Sequence, residues 1–264
     1  MAESQRETSL PPGRYSDYVT ESPAIPPALP AATPAPAAQK PRRRISFLGI
    51  LRWVAIVLVS CWFFGALSLV VLRFVDPPTT ALQTERRFQS LIHGKPYDKR
   101  YNFVPLKQIS PNLQHAVVSA EDARFYVHHG FDWEAIHKAA EEDMEGGRIR
   151  GGSTLTQQLV KNLFFGTSRS ILRKAAEASL VPVAELVLGK QRILELYLNI
   201  VEWGPGVYGA DAACRYHDDI SSRSISREQA AQLAAVLPSP LKRKPSRMTR
   251  YSAIILRRMA QAGW

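Results

Sequence analysis

The chain has 264 residues, 45% of them hydrophobic, and carries 34 Lys and Arg against 23 Asp and Glu. That length holds one folded domain of ordinary size plus extra segments, and excludes two large enzymatic domains. The net charge of +11 calls for an anionic partner, which nucleic acid, phospholipid headgroups or a pyrophosphate substrate would each satisfy.

Within a tail spanning residues 1–44, the stretch from about Ser9 to Pro41 is rich in Pro and Ala, with segments such as PAIPPALPAATPAPAAQKP that hold few charges and almost no large apolar side chains. They cannot build a core, so a disordered or polyproline-like tail is expected, solvated more simply than docked on a partner. A basic cluster follows, Lys40, Arg42, Arg43 and Arg44, with Arg52 just beyond. The uncharged run from Trp53 to Leu72 then supplies the ~20 residues a helix needs to cross a bilayer. A cleaved signal peptide would have a shorter apolar region, roughly 7 to 15 residues, starting nearer the N-terminus. A retained single-pass anchor over 45–75 is therefore expected. Because the positive residues crowd its N-terminal side, the tail is placed in the cytoplasm and everything after Leu72 outside. A domain there would not meet nucleic acid, whereas anionic lipid or a lipid-linked phosphate remains a fitting partner. Cys61 lies in the apolar run and Cys214 far along the chain, so neither a disulfide between them nor a zinc site is expected.

The domain, 80–264, reads mainly as helices. Ser110 and Pro111 make an N-cap and first turn, after which Leu113, Ala116, Val117 and Ala120 share one face. Asp132 caps a helix running to Gly146 and Gly147, and Gly151, Gly152 and Ser153 introduce another with a stripe of Leu155, Leu159 and Leu163. Further helices start near Ile171, Gln191, Gly209, Arg227 and Thr249, and Ser226 with Gln229 forms a capping box. Strand-like alternation is limited to pieces such as Tyr97 to Val104.

Three segments carry the chemistry. The first, EDARFYVHHGFD from Glu121 to Asp132, puts two acids at the end of a helix, where free carbonyls and the dipole disfavour a carboxylate and would raise the pKa of Glu121. Adjacent helical residues point about 100° apart, so Glu121 and Asp122 cannot both address one substrate atom, and one of them is structural. Taken alone, the pair reads as surface acids and His128 as a residue that fixes a loop. The second segment, RGGSTLTQQLVKNLF from Arg150 to Phe164, places two glycines before a helix start whose free N–H groups suit an anion. Thr154, Gln158 and Lys161 share one face of that helix, although an N-capped helix with a solvated face would look the same. The third, RKAAE, spaces Arg173 and Glu177 as an i, i+4 ion pair, worth only about 0.3 to 0.5 kcal/mol if exposed. Together they offer a base carboxylate, a cationic cluster of Lys161, Arg173 and Lys174, and a second carboxylate. Displacement of a sugar pyrophosphate needs that set, since a neutralised pyrophosphate leaves without a general acid.

In order, the segments EDARFYVHHGFD, GGSTLTQQLVKNLF, RKAAEASL, KQRILELYLNIVEWGPGVYGADAA and AAQLAAVLPSP resemble the peptidoglycan glycosyltransferases, glycosyltransferase family 51, and within them the monofunctional biosynthetic transglycosylases. The resemblance runs from about Val117 to Leu241. It implies a single-pass transmembrane helix followed by a lysozyme-like, mainly α domain, with a membrane-dipping jaw around Phe131 to Arg150. It also implies polymerisation of lipid II into β-1,4-linked glycan, with release of undecaprenyl pyrophosphate and help from a divalent metal, usually magnesium. By the same resemblance Glu121 is the base that deprotonates the acceptor 4-hydroxyl, and Glu177 is a second essential glutamate near the donor pyrophosphate and its metal. Asp122, Phe125, His128, Thr154, Gln158, Lys161, Asn162, Arg173 and Lys174 match the remaining cleft residues, while Lys190, Arg192, Glu195, Tyr197 and Asn199 match a largely structural motif. The chain departs from the family after Ala213, with Tyr216, His217, Asp218 and Asp219 where an aromatic pair is usual. Expected partners are the growing glycan strand, membrane lipids of a bacterial inner membrane, and other cell-wall synthesis proteins, including separate transpeptidases for cross-linking.

Overall fold

The computed structural model of the protein describes residues 47–144, 152–168 and 170–264. The expected tail and its basic cluster, together with Gly146, Gly147, Arg150 and Gly151, lie outside the described residues.

Helix α1 (Phe47–Leu72) is 26 residues of almost unbroken apolar sequence, long and apolar enough to cross a membrane. At 1.5 Å per residue it measures about 39 Å, more than the ~30 Å hydrocarbon core, and it begins before Arg52 rather than at Trp53. Its C-terminal end is docked. Leu69 is fully buried, and Gly65 sits so close to Leu180 that a Cβ there would meet its side chain at 3.1 Å. The surface it docks on is α6 (Ile171–Ile200), and several polar contacts lock the junction. Arg73 donates to the Val187 carbonyl, while Arg192 donates to Leu72 O at 2.9 Å and pairs with Asp76 at 2.9 Å. The anchor end and the domain thus share one packed junction.

Past the linker, Thr80 caps α2 (Ala81–Ile92), whose polar side faces inward: Arg86 pairs with the buried Glu202 at 2.9 Å. Phe88, Leu91 and Ile92 point out instead. Strand β1 (Arg100–Tyr101) is all that remains of the expected Tyr97–Val104 piece. It pairs in parallel with β3 (Val207–Tyr208), which pairs antiparallel with β2 (Glu202–Gly204). Such short strands carry too few residues for a legible alternation.

The helices start where the capping signals put them. Ser110 accepts from Asn112 N ahead of α3 (Pro111–Glu121), and Asp132 accepts from Ala135 N at the start of α4 (Trp133–Met144). Thr154 and Gln157 form a capping box on α5 (Leu155–Phe164), so the cap is Thr154 and not one of the residues before it. Gly189, at φ 70° and ψ 165°, splits α6 into the two helices expected from Ile171 and near Gln191. Helices α7 (Ala210–Asp218), α8 (Arg227–Ala234) and α9 (Thr249–Gln261) complete the described order, with the Ser226–Gln229 box on α8. The core is built where α5 lies on α6 and where α3 lies on α8 and α9, around fully buried Phe125, Tyr197 and Trp203. Of the expected α3 face, Leu113, Ala116 and Val117 are buried and Ala120 is only partly so. Both cysteines are free.

Candidate active site

The end of α3 delivers two acids to two different places. Asp122 turns inward, where its carboxylate accepts from Leu155 N at 2.9 Å and contacts His128 Nε2 at 2.9 and 3.0 Å. Burial pushes the Asp122 carboxyl up, and the Leu155 N–H and His128 oppose that shift. The other ring nitrogen of His128 accepts from Gly130 N at 3.1 Å, so the imidazole fixes the loop between α3 and α4. Gly130 holds φ 94°, and a Cβ there would meet Val181 at 2.6 Å, which restricts the position to glycine. Its carbonyl accepts from the Thr154 hydroxyl at 2.7 Å. Phe125 is fully buried with the Lys190 ammonium 4.6 Å from its ring centre. Asp122, Phe125, His128 and Thr154 therefore form the scaffold behind the cleft.

This corrects the expected anion site at the start of α5. Asp122 already occupies Leu155 N, and the Thr154 hydroxyl occupies Gln157 N at 3.2 Å. The helix N-terminus is used to hold a carboxylate of the protein itself, which joins α3 to α5.

Glu121 faces the other way. It borders a cavity of about 590 Å³, shared with Asp122, Arg124, Lys138, Gly152, Ser153 and, from α9, Arg258 and Gln261. The Gln158 amide donates to Glu121 Oε2 at 3.0 Å, and Tyr197 OH donates to Gln158 Oε1 at 3.0 Å. Burial raises the Glu121 carboxyl above its ordinary range, opposed first by the Gln158 hydrogen bond and then by the charges of Lys161 and Arg243. A half-desolvated carboxylate with one fixed amide donor is a competent proton acceptor.

Lys161 feels the charges of both Glu121 and a second cluster. Burial pushes its ammonium down; Glu177 and, less strongly, Glu121 oppose that shift, while Arg173 and Lys174 add to it. Asn162 is buried one residue further along α5. On α6, Glu177 is 1% exposed and spends both oxygens, on Arg173 at 2.9 Å and Lys174 at 2.6 Å. Arg173 keeps a buried Nε without a partner. An orphaned guanidinium N–H beside two ammonium groups suits phosphate oxygens.

A protein-held metal fits this arrangement poorly. Among the described residues no group of three or more His, Cys, Asp or Glu side chains is placed to ligate one, and Glu177 offers no oxygen that two cations do not already hold. The remaining motif residues are structural: Lys190 pairs with Glu185 at 2.9 Å, Arg192 with Glu195 at 2.6 Å, and the Asn199 side chain donates to Val104 O at 2.9 Å. Tyr197 does more, because it orients Gln158. At the departure after Ala213, Arg100 lies over Tyr216, His217 is near Trp203 O, Asp218 keeps a buried carboxylate oxygen without a partner, and Asp219 ends α7 at φ 54°. Arg258 and Gln261 were not legible as cleft residues, since only the packing of α9 on α3 brings them there.

The family model described as Transglycosylase matches residues 87–260. A biosynthetic peptidoglycan transglycosylase of Pseudomonas putida is 50% identical over 205 residues, covering 77% of this chain and 84% of the relative. Those of Pseudomonas fluorescens (45% identical over 221 residues, 82% and 89% covered) and Pseudomonas aeruginosa (46% over 208 residues, 76% and 90% covered) match similarly. The matched region contains Glu121, Lys161, Arg173 and Glu177, and with both the family model and these relatives in agreement, the chain belongs to the transglycosylase family.

Proposed function

We propose that this peptidoglycan glycosyltransferase polymerises lipid II, joining disaccharide-pentapeptide units by β-1,4 bonds and releasing undecaprenyl pyrophosphate. The observation that carries the reading is a carboxylate on the cavity wall, Glu121, held by one amide donor, together with a buried Glu177 that holds Arg173 and Lys174, the charge of Lys161 being felt by Glu121. Glu121 takes the proton of the acceptor 4-hydroxyl, whose oxygen attacks C1 of the donor sugar. The bond from C1 to the pyrophosphate breaks on the opposite face, inverting the anomeric centre. Lys161, Arg173 and Lys174 neutralise the departing phosphates, so no group has to protonate them. Glu177 keeps those cations aimed into the site, because removing the central anion would leave three positive groups repelling one another. A magnesium ion would arrive on the donor pyrophosphate itself, and no step here depends on it.

The anchor supports a substrate that is itself lipid-bound. By the excess of Lys and Arg ahead of the apolar run, this reading has the N-terminus in the cytoplasm and the domain on the outer side of the inner membrane, where the pyrophosphate of a lipid-linked sugar lies at the surface. Separate transpeptidases would cross-link the strands. The test is incubation of the full chain with labelled lipid II and, separately, with preformed glycan. Polymer formed from lipid II is expected; consumption of the preformed glycan alone would mean a hydrolase of the two-carboxylate kind.

A further inference from the structure

Residues 242–264 contain Lys242, Arg243, Lys244, Arg247, Arg250, Arg257 and Arg258 and no Asp or Glu. A solvated protein surface ordinarily mixes both signs of charge, and a single-sign tract repels itself unless something anionic covers it.

Two of these residues join the tract to the catalytic cleft. Arg258 lines the Glu121 cavity and donates to Ser119 O at 3.1 Å, two residues before the base on the same helix. Arg243 donates to Ala235 O at 2.9 Å, lies over the Tyr251 ring, and exerts its charge on Glu121. The other five, Lys242, Lys244, Arg247, Arg250 and Arg257, are exposed, and among the described residues they form no ion pair. Arg250 and Arg257 stand seven residues apart on α9, which brings them to one edge of the helix two turns apart. The tract therefore starts at the wall of the reaction cavity and runs outward over the protein surface.

Its position favours one occupant. Helix α9 packs on α3 and α8, whereas the anchor docks on α6, so the tract belongs to the other packing group of the domain. A water-borne polyanion fits there better than lipid headgroups. If the substrate is lipid II, as proposed above, every unit added to the product carries a stem peptide with a free C-terminal carboxylate. The growing strand is then a polyanion with regular spacing that emerges from this cavity.

We propose that the basic tract holds the nascent glycan strand through its stem-peptide carboxylates, and so keeps the product on the enzyme between additions. Each exposed contact is weak, but repeated contacts on one strand act together through effective concentration. The inference rests on the lipid II reading, and the experiment separates the two. The full chain and a variant with K242Q, K244Q, R247Q, R250Q and R257Q are reconstituted in phosphatidylcholine or phosphatidylglycerol vesicles and given labelled lipid II. Initial rate and glycan length are read at low and high salt.

The expected result is an unchanged initial rate with strands several-fold shorter in the variant, in both kinds of vesicle. High salt should shorten the wild-type strands towards the variant length and leave the variant unaffected. Lipid II with an amidated peptide carboxyl should give the wild type short strands, a readout that stands even if the variant does not fold. Equal lengths at low salt, or indifference to amidation, would overturn the proposal. A defect confined to phosphatidylglycerol vesicles would assign the tract to headgroups and overturn it too. No polymer from the wild type would overturn the lipid II reading, and this assignment with it.

Discussion

At the residue scale, the role proposed for Glu121 as the base rests on what surrounds it. Burial raises its carboxyl and the Gln158 amide restrains the rise, so kcat/KM should climb with pH along a limb above the ordinary glutamate range. Gln158→Ala removes a donor that favours the charged form, and the limb should move to higher pH; a pH profile that stays in place would contradict the role given to that amide. The same shift has a sign for stability. A carboxyl raised on folding contributes fully below its unfolded pKa and loses that contribution as pH rises through the folded value. Glu121→Gln should therefore melt at the same or a higher temperature than wild type at pH 7, with the difference vanishing in acid, as followed by circular dichroism. The acid at the helix end was legible in sequence, and the expected direction of its shift agrees. Its dominant cause is desolvation by tertiary packing, which a helix-dipole argument does not contain. Tyr197 read as structural for a related reason: its hydroxyl meets Gln158 only because α6 lies along α5.

At the element scale, the start of α5 is held by a residue 33 positions earlier in the chain, Asp122. Asp122→Ala strands both Leu155 N and His128 in a buried site and should cost about 3 kcal/mol or more in a denaturant melt, whereas Asp122→Asn should recover much of it. Gly189→Ala meets no atom within 4 Å, so its cost is backbone strain alone, about 1 to 3 kcal/mol at φ 70° and ψ 165°. A neutral result there would mean that the break in α6 does not need its left-handed residue. Helix starts were legible because caps are local chemistry, as at Ser110, Asp132 and Ser226. The free anion site before α5 was misread for the complementary reason, since the anion that fills it is supplied by a distant loop. The two-residue strands likewise follow from tertiary arrangement and leave no periodic signal, while Phe88, Leu91 and Ile92 of α2 have helical spacing but face outward only because of how the helix is packed.

At the scale of the whole molecule, the docking of α1 on α6 joins an anchor to the helix that carries Arg173, Lys174 and Glu177. The apolar run and the ordered motifs made the anchor and the family resemblance legible, because both are written in contiguous residues. The partition of roles inside the motifs was not, since Asp122, Phe125 and Thr154 sit in the same short segments as Glu121 and Gln158 yet are buried, and the polar two are tied into the scaffold by hydrogen bonds. In the proposed mechanism Glu121 performs the proton transfer while Lys161, Arg173 and Lys174 take the leaving charge. The most direct measurement is the rate of polymer formation from labelled lipid II by the Glu121→Gln variant, with its melting curve taken in parallel. A loss of about 10²-fold or more with the fold intact is the predicted result, and a folded variant that polymerises at the wild-type rate would contradict the account.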